Sequence, residues 1–405
     1  MTTPPLPAIQ PARHLAGVRY EIRGPLARRA LELERQGYDV IKLNIGNPAA
    51  FGFRTPETMR LAVVEHLAES EGYCHQKGIF QAREAVVMET QNRHVAGVTV
   101  EDVFLGNGVS ELILMTLEAL LEPGDQVLVP APDYPLWTAA VAITGATAVH
   151  YPCRPENGFV PDPEEIARLW TPRCKAIVII NPNNPTGAVY PRTVLEAIAR
   201  FAESKRIIVF SDEIYDRILY DGAVHVPMAT LCEDTLCATF GGLSKVYRAC
   251  GFRAGWVYFS GAREHAAAYL QTLELLASLR LCANVPGQWA VPTALGGVQS
   301  IYDLTAETGR LGRQRQAVID GVAASRHLDL VAPRGALYGF VRARTPGFDD
   351  ARFAMDLLEK KHVLLVPGSS FNVPYGDHFR ITLLPEAETM RTVFGRIEEL
   401  LDGWA

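Results

Sequence analysis

Between residues 100 and 260 the chain repeats one pattern, a short apolar run followed by a stretch with helical spacing. The runs fall at 103–105, 127–129, 147–151, 176–180, 207–210 and 238–240. Most are continuous, without the polar alternation of a strand that has one wet face, so both of their faces must be covered. One intervening segment places Val194, Ile198, Phe201 and Ala202 at i, i+4, i+7 and i+8, the stripe of a helix packed on a sheet. Short buried strands alternating with helices predict an α/β unit built on a mainly parallel sheet.

The C-terminal third reads as a smaller α+β unit. It has a helix near 353–361, a strand at 363–366, and a final helix with Met390, Val393, Phe394, Ile397, Leu400 and Leu401 on one face. An apolar run at 40–43 leads into Gly46, Asn47 and Pro48 and is expected to pack with that unit. With 405 residues the chain has material for roughly two or three domains. The expected division is an N-terminal arm with part of the small domain at 1–55, a large domain at 56–300 and the small domain at 301–405.

Charge and cysteine placement narrow the function. Lys plus Arg number 39 against 45 Asp plus Glu, a net charge of −6 with no basic stripe, which argues against nucleic acid as a partner. Seven scattered cysteines form no C-x-x-C pair and no metal-ligand spacing, which fits a reducing compartment and no metal site. The first residues lack a basic segment followed by an apolar one, so a cytoplasmic location is expected. The charge-free stretches 134–153 and 281–302 are interrupted by Pro and by Gly or amide side chains, and are expected as core rather than membrane spans. H-E-x-x-H, G-x-S-x-G and G-x-x-x-x-G-K-[ST] are all missing, which removes support for zincin, triad-hydrolase and P-loop chemistry.

In an open parallel sheet, ligands bind outside the carboxyl ends of the strands, so the residues following each run are the candidates. N-P-N-N-P-T-G at 181–187 suits a rigid loop presenting amides, or a plain turn. S-D-E-I-Y at 211–215 puts a carboxylate at a strand end with a phenol three residues on; a lone Asp there is commonly a helix cap. G-G-L-S-K at 241–245, with Arg253 eight residues after Lys245, suggests an anion site or ordinary surface charges. G-N-G-V-S-E at 106–111 opens an apolar helix whose free N–H groups could hold a phosphate. It half-matches a dinucleotide fingerprint, but Glu111 stands at the third glycine position and would repel a pyrophosphate.

Together, N-P-x-N-P-T-G, then D-x-x-Y, then S-K with an arginine eight residues on closely resemble the fold type I, aminotransferase-like family of pyridoxal-phosphate (PLP) enzymes. Y-x-I-R-G-P at 20–25, L-N-I-G-N-P at 43–48 and P-A-P-D-Y-P-L-W at 130–137 look most like the bacterial glutamate–pyruvate (alanine) aminotransferases within it. The resemblance implies an aspartate-aminotransferase-like fold, with a mainly parallel, seven-stranded type of large domain and a smaller α+β domain. It also implies transfer of the amino group of L-alanine to 2-oxoglutarate, giving pyruvate and L-glutamate, by a ping-pong route through pyridoxamine phosphate.

By the same resemblance Lys245 forms the internal Schiff base and moves the proton between Cα and C4′. Asp212 faces the pyridine nitrogen and keeps it protonated. Asn184 and Tyr215 bond the cofactor's O3′, and Tyr134 stacks on its ring. The phosphate is held by backbone N–H groups of Gly108, Val109 and Ser110, by the hydroxyls of Ser110 and Ser244, and by Arg253. Tyr73, in Y-x-x-x-x-G, resembles a tyrosine that reaches the phosphate of a neighbouring subunit, hence an expected homodimer. Arg380 grips the substrate carboxylate as a planar fork, with Asn184 as a second contact and the Gly46 backbone closing over the substrate. Tyr20 and Arg23 are candidates for side-chain recognition, against ordinary packing or surface roles. Gly242 departs from the pattern, because many family members carry Ser three residues before the lysine. A C–S lyase or another PLP aminotransferase would share this cofactor cradle, and a PLP-binding module without catalysis is the alternative from another class.

Overall fold

A computed structural model describes residues 9–12, 15, 18, 20 and 24–404. Its strands are β1 (Ile41–Lys42), β2 (Val103–Gly106), β3 (Gln126–Ala131), β4 (Thr147–Pro152), β5 (Cys174–Ile180), β6 (Ile208–Asp212), β7 (Cys237–Gly242), β8 (Gly255–Ser260), β9 (Leu328–Leu330), β10 (Tyr338–Ala343), β11 (Val363–Leu364), β12 (Val366–Pro367) and β13 (His378–Thr382). Seven of them form one sheet in the order β2-β8-β7-β6-β5-β3-β4. All six apolar runs became strands of this sheet.

The continuous runs are buried on both faces, as their composition requires. In β5, Ala176, Val178 and Ile180 join one core cluster and Ile177 and Ile179 the other. The seventh strand, β8, is antiparallel to both of its neighbours, β2 and β7. The connection from β7 to β8 contains turns and one short 3₁₀ segment but no crossover helix, so the chain returns in the opposite direction. Because β2 and β7 both run antiparallel to β8, the ends of β2, β3, β5, β6 and β7 open on one edge.

A second sheet, β12-β13-β10-β9, is antiparallel throughout, and β1 pairs in parallel with β11. The apolar run near residue 40 therefore does pack with the C-terminal segment. The strand expected at 363–366 is instead two short strands in different sheets, since β11 pairs with β1 while β12 pairs with β13. The helix near it begins earlier than expected, at Asp350–Lys361, because the Asp349 carboxylate accepts the Arg352 N–H and caps it. In the helix Arg192–Lys205 the face pressed on the sheet centres on Leu195, Ile198, Ala199 and Ala202, with Val194 and Phe201 at its margin. The final helix, Ala387–Asp402, buries all six expected residues. The two charge-free stretches are broken into short helices and a strand, and among the described residues no helix is long and apolar enough to cross a membrane.

Candidate functional site

At the shared edge of the large sheet lies a cavity of about 700 Å³. Its wall includes Lys245, Asp212, Tyr215, Asn184, Tyr134, Val109, Ser110, Ser244, Arg253, Gly46, Tyr20 and Arg380. A larger cavity, about 1220 Å³, lies between the segment at Leu219 to Ala223 and the helices Arg310–Ala324 and Ala387–Asp402. Among the described residues, none of the candidate site residues lines it, so size does not mark the chemistry here.

Each loop delivers its side chain from a strand end. Asp212 is the last residue of β6, fully buried, and accepts from Trp137 Nε1 at 3.1 Å and from the Ile214 N–H at 3.3 Å. Burial pushes its carboxyl up to about 6 against these two bonds, so a cation placed beside it would be stabilised. Lys245 follows β7 and donates from Nζ to the Gly46 carbonyl at 2.6 Å. Gly46 has no space for a side chain, since a Cβ there would stand 2.1 Å from the Tyr338 hydroxyl. Tyr215 shares a hydrogen bond of 3.0 Å with that same Tyr338 hydroxyl. Burial pushes the Tyr215 and Tyr134 phenols well above the usual range. Burial opposes ionisation of Tyr338 too, but the Lys245 and Arg380 cations and the Tyr215 hydroxyl outweigh it and bring Tyr338 below the ordinary tyrosine value.

The small sheet contributes the opposite wall. Arg380 on β13 stands in register with Phe340 on β10 and is 1% exposed. Its guanidinium donates to Asn184 Oδ1 at 3.0 Å and to the Asn44 carbonyl, and lies 4.4 Å from the Tyr338 ring centre and 4.8 Å from that of Phe371. These partners are neutral, Nε has no hydrogen-bond partner among the described residues, and burial pulls the guanidinium below its usual pKa. A buried cation without an anion is costly, and a carboxylate in the cavity would relieve that cost.

At the other end, Gly108 caps the helix Val109–Glu118 with φ +81, and a Cβ there would stand 2.3 Å from an Arg253 nitrogen. The expected donor set needs correction at this point. The Gly108 N–H already donates to the Gly106 carbonyl at 2.7 Å, so the free N–H groups begin only with the first helical turn. Arg253 gives hydrogen bonds to the carbonyls of Cys250 at 2.8 Å and Asn107 at 2.9 Å, tying the loops after β7 and β2 together while still lining the cavity. Glu111 turns back to accept from the Asn107 N–H and amide at 2.7 and 2.8 Å and pairs with Arg280, so it is a structural cap of its own loop. At Gly242 a Cβ would come within 3.2 Å of the Ala254 carbonyl and of Ile214, which leaves little room for the serine that the resembled pattern often carries there.

Tyr20 lines the cavity, with its hydroxyl 3.0 Å from that of Tyr134 and the two rings edge to face. Tyr73 lies outside the cavity of its own chain and is 81% exposed. Arg23 falls outside the described residues. Trp137, Tyr338, Asn44 and Cys250 were not singled out from the sequence as site residues, yet Tyr338, Asn44 and Cys250 line the cavity and Trp137 supports Asp212. Asn44 and Trp137 lie in the motifs at 43–48 and 130–137, and Trp137 also has an N–H to satisfy in a largely apolar helix, whereas Tyr338 and Cys250 had no local signal.

Residues 38–397 match the profile of the family described as aminotransferase class I and II. The chain is 47% identical over 399 residues to the glutamate-pyruvate aminotransferase AlaA of Escherichia coli (strain K12), covering 98% of each. It is 45% identical over 393 residues to an alanine aminotransferase of Mycobacterium tuberculosis (strain H37Rv), covering 96% of this chain and 91% of the relative. Among solved structures, an aminotransferase from Escherichia coli superposes with a TM-score of 0.97 at 47% identity, covering 98% of this chain and 99% of the other.

Proposed function

Because the chain belongs to the class I and II aminotransferases, we propose that it transfers the amino group of L-alanine to 2-oxoglutarate, giving pyruvate and L-glutamate, with pyridoxal 5′-phosphate as cofactor. The observation that carries the substrate choice is full-length identity of 45–47% to enzymes named for glutamate–pyruvate and alanine transfer. The cavity supports the cofactor. It sets a lysine amine, a buried carboxylate that favours a neighbouring cation, and a helix N-terminus beside an arginine around one space.

When bound, the cofactor supplies an aldehyde for the substrate nitrogen and an electron sink for the electrons left on Cα. Lys245 Nζ, which donates to the Gly46 carbonyl here, would hold the cofactor's aldehyde carbon and, once the substrate nitrogen has displaced it, would take the Cα proton and later give it back. Asp212, oriented by Trp137 and the Ile214 N–H, would face the pyridine nitrogen and keep it protonated. Tyr215 and Asn184 would bond the ring oxygen and Tyr134 would cover the ring face. Val109 and Ser110, with Ser244 and Arg253, would hold the phosphate. Arg380 orients the substrate by its carboxylate, and Asn184 and the Asn44 carbonyl hold the guanidinium in place. Tyr20, at the cavity mouth, and Arg23 are assigned to side-chain recognition.

A homodimer completes this reading. The Tyr73 segment touches the helix Ala267–Leu279 through Gln76 and Glu274, and Tyr73, Phe80, Leu275 and Leu279 are all exposed. Large exposed apolar side chains are typical of a surface that a second copy covers. Sedimentation of the purified protein at twice the monomer mass, lost in a Leu279→Asp variant, is the expected result. The same reading assigns residues 1–55 to an arm and part of the small domain, 56–300 to the large domain and 301–405 to the small one, and places the enzyme in the cytoplasm.

The deciding experiment mixes holo-protein with excess L-alanine and no oxo acid. One pyruvate per site, with a change in the cofactor's absorption and no ammonia, is expected. Continuous pyruvate with ammonia would point to a lyase, and no pyruvate would overturn the alanine assignment.

A further inference from the structure

Asp133 stands one residue before Tyr134, is 0% exposed and does not line the cavity. Its Oδ1 accepts from Asn372 Nδ2 at 2.8 Å and its Oδ2 from the Thr138 hydroxyl at 2.5 Å. Its own N–H donates to the Phe371 carbonyl at 3.2 Å. The Thr138 hydroxyl also meets His150 Nε2 at 2.9 Å, on β4. One carboxylate thus fastens the loop that carries Tyr134 to a turn 239 residues away, the 3₁₀ segment Gly368–Phe371, whose Phe371 ring lies under the Arg380 guanidinium.

The far end of this tie is specific in two ways. Asn372 adopts φ +58, a left-handed conformation that asparagine tolerates better than most residues, and its amide is what reaches Asp133. Burial pushes the Asp133 carboxyl up to about 7 in spite of the hydrogen bonds from Thr138 and Asn372. An apolar residue would avoid that cost, and would leave the two loops joined only by the backbone bond from the residue 133 N–H to the Phe371 carbonyl.

We infer that Asp133 is a positioning residue, which sets the separation between the ring face at Tyr134 and the carboxylate grip at Arg380 through Asn372 and Phe371. The inference rests on the reading of this cavity as an aminotransferase site. A tie of this kind acts on how well the substrate carboxylate meets Arg380 while the cofactor is held, so its loss appears in substrate binding before it appears in chemistry.

The test compares holoenzymes carrying Asp133→Ala, Asn372→Gly, both together, and Asp133→Asn. Glycine at 372 removes the amide but keeps the left-handed conformation available. Two quantities are measured: kcat and KM for L-alanine, and the dissociation constant of propionate read from the cofactor's absorption. Asp133→Ala and Asn372→Gly should each raise KM and the propionate constant about tenfold with kcat within about threefold, the scale of one hydrogen bond to a charged group. The double variant should be no worse than the weaker single one. Asp133→Asn can still accept from Asn372 and donate to Thr138, and should restore both values to within about threefold of the wild type. Lowered melting temperature with unchanged KM and propionate binding, additive effects, or no rescue by Asp133→Asn would each overturn the inference. Should Asp133→Ala fail to fold, Asn372→Gly alone decides it. If the wild type does not transaminate alanine, the proposed function fails, and propionate binding still tests Asp133.

Discussion

The large sheet and the small sheet face each other across one cavity and hold their functional groups by different means. Asp212 and Lys245 sit at or just beyond the ends of β6 and β7, each fixed by contacts from a buried sheet or a neighbouring loop. Arg380 lies inside β13, and its position depends on Asn44, Asn184, Tyr338 and Phe371, residues scattered from one end of the chain to the other. The first arrangement resists local damage because the strand ends are fixed by a two-sided core. The second is as good as its longest-range contact, and it is the side on which domain movement or substitution should alter substrate binding.

That contrast can be broken by substitution, starting with the largest effect. Lys245→Ala should abolish the cofactor's lysine-bound absorption and cut single-turnover transamination by at least about a thousandfold, the scale of losing a nucleophile that is also the acid–base group. Turnover retained in that variant would remove Lys245 from the reaction. Asp212→Ala should still bind cofactor but lose on the order of a hundred- to a thousandfold in kcat, as when a preorganised charge is deleted; kcat near wild type would show that the large sheet supplies no electron sink.

On the other wall, Arg380→Lys should lower kcat/KM by about ten- to a hundredfold for every amino-acid substrate alike, since the fork geometry is lost and the charge kept. A loss confined to one amino acid would assign Arg380 to side-chain recognition instead. Tyr338→Phe removes the hydroxyl that meets Tyr215 and should cost only about two- to tenfold in kcat. A larger loss would mean that the two walls are coupled more tightly than their separate construction implies.

The last expected effect is on stability rather than on rate. Asp212 has its carboxyl raised from 3.8 to about 6 by burial, so in cofactor-free protein the folded state holds this proton more firmly than the unfolded state does. Its contribution is fully present below about pH 4 and is lost as pH rises through about 6, with a ceiling of about 3 kcal/mol. The melting temperature of apo Asp212→Asn relative to apo wild type should therefore climb between those pH values, and adding cofactor to both should remove the trend. A flat difference would mean that Asp212 is already ionised in the apo-protein.

The same contrast governs what could be read from the residues. The large sheet was legible because its strands are local apolar runs and its functional side chains follow them within a few positions. Only β8 was missed, since its run follows a loop already occupied by other signals, and nothing local states that it turns antiparallel. In the smaller unit only the two helices and one apolar strand were legible; β9, β10 and β13, three of the four strands of its sheet, were not. The split of residues 363–366 between two sheets was not, because pairing partners are set by tertiary contacts. Arg380 was found through the family pattern, while Tyr338, Asn44, Asn372 and Asp133 carry no local periodicity that points to the site. The loop at Gly108 shows a finer limit, for which N–H groups stay free depends on backbone bonds that a motif does not reveal.

The central claim is that the end of β7 presents Lys245 to a cofactor held at the edge of the large sheet. Borohydride reduction of the holo-protein, followed by digestion and mass spectrometry, tests it most directly. The account predicts one reduced cofactor per chain, attached to Lys245. Attachment to another lysine, or no attachment in protein that is loaded and active, would contradict it.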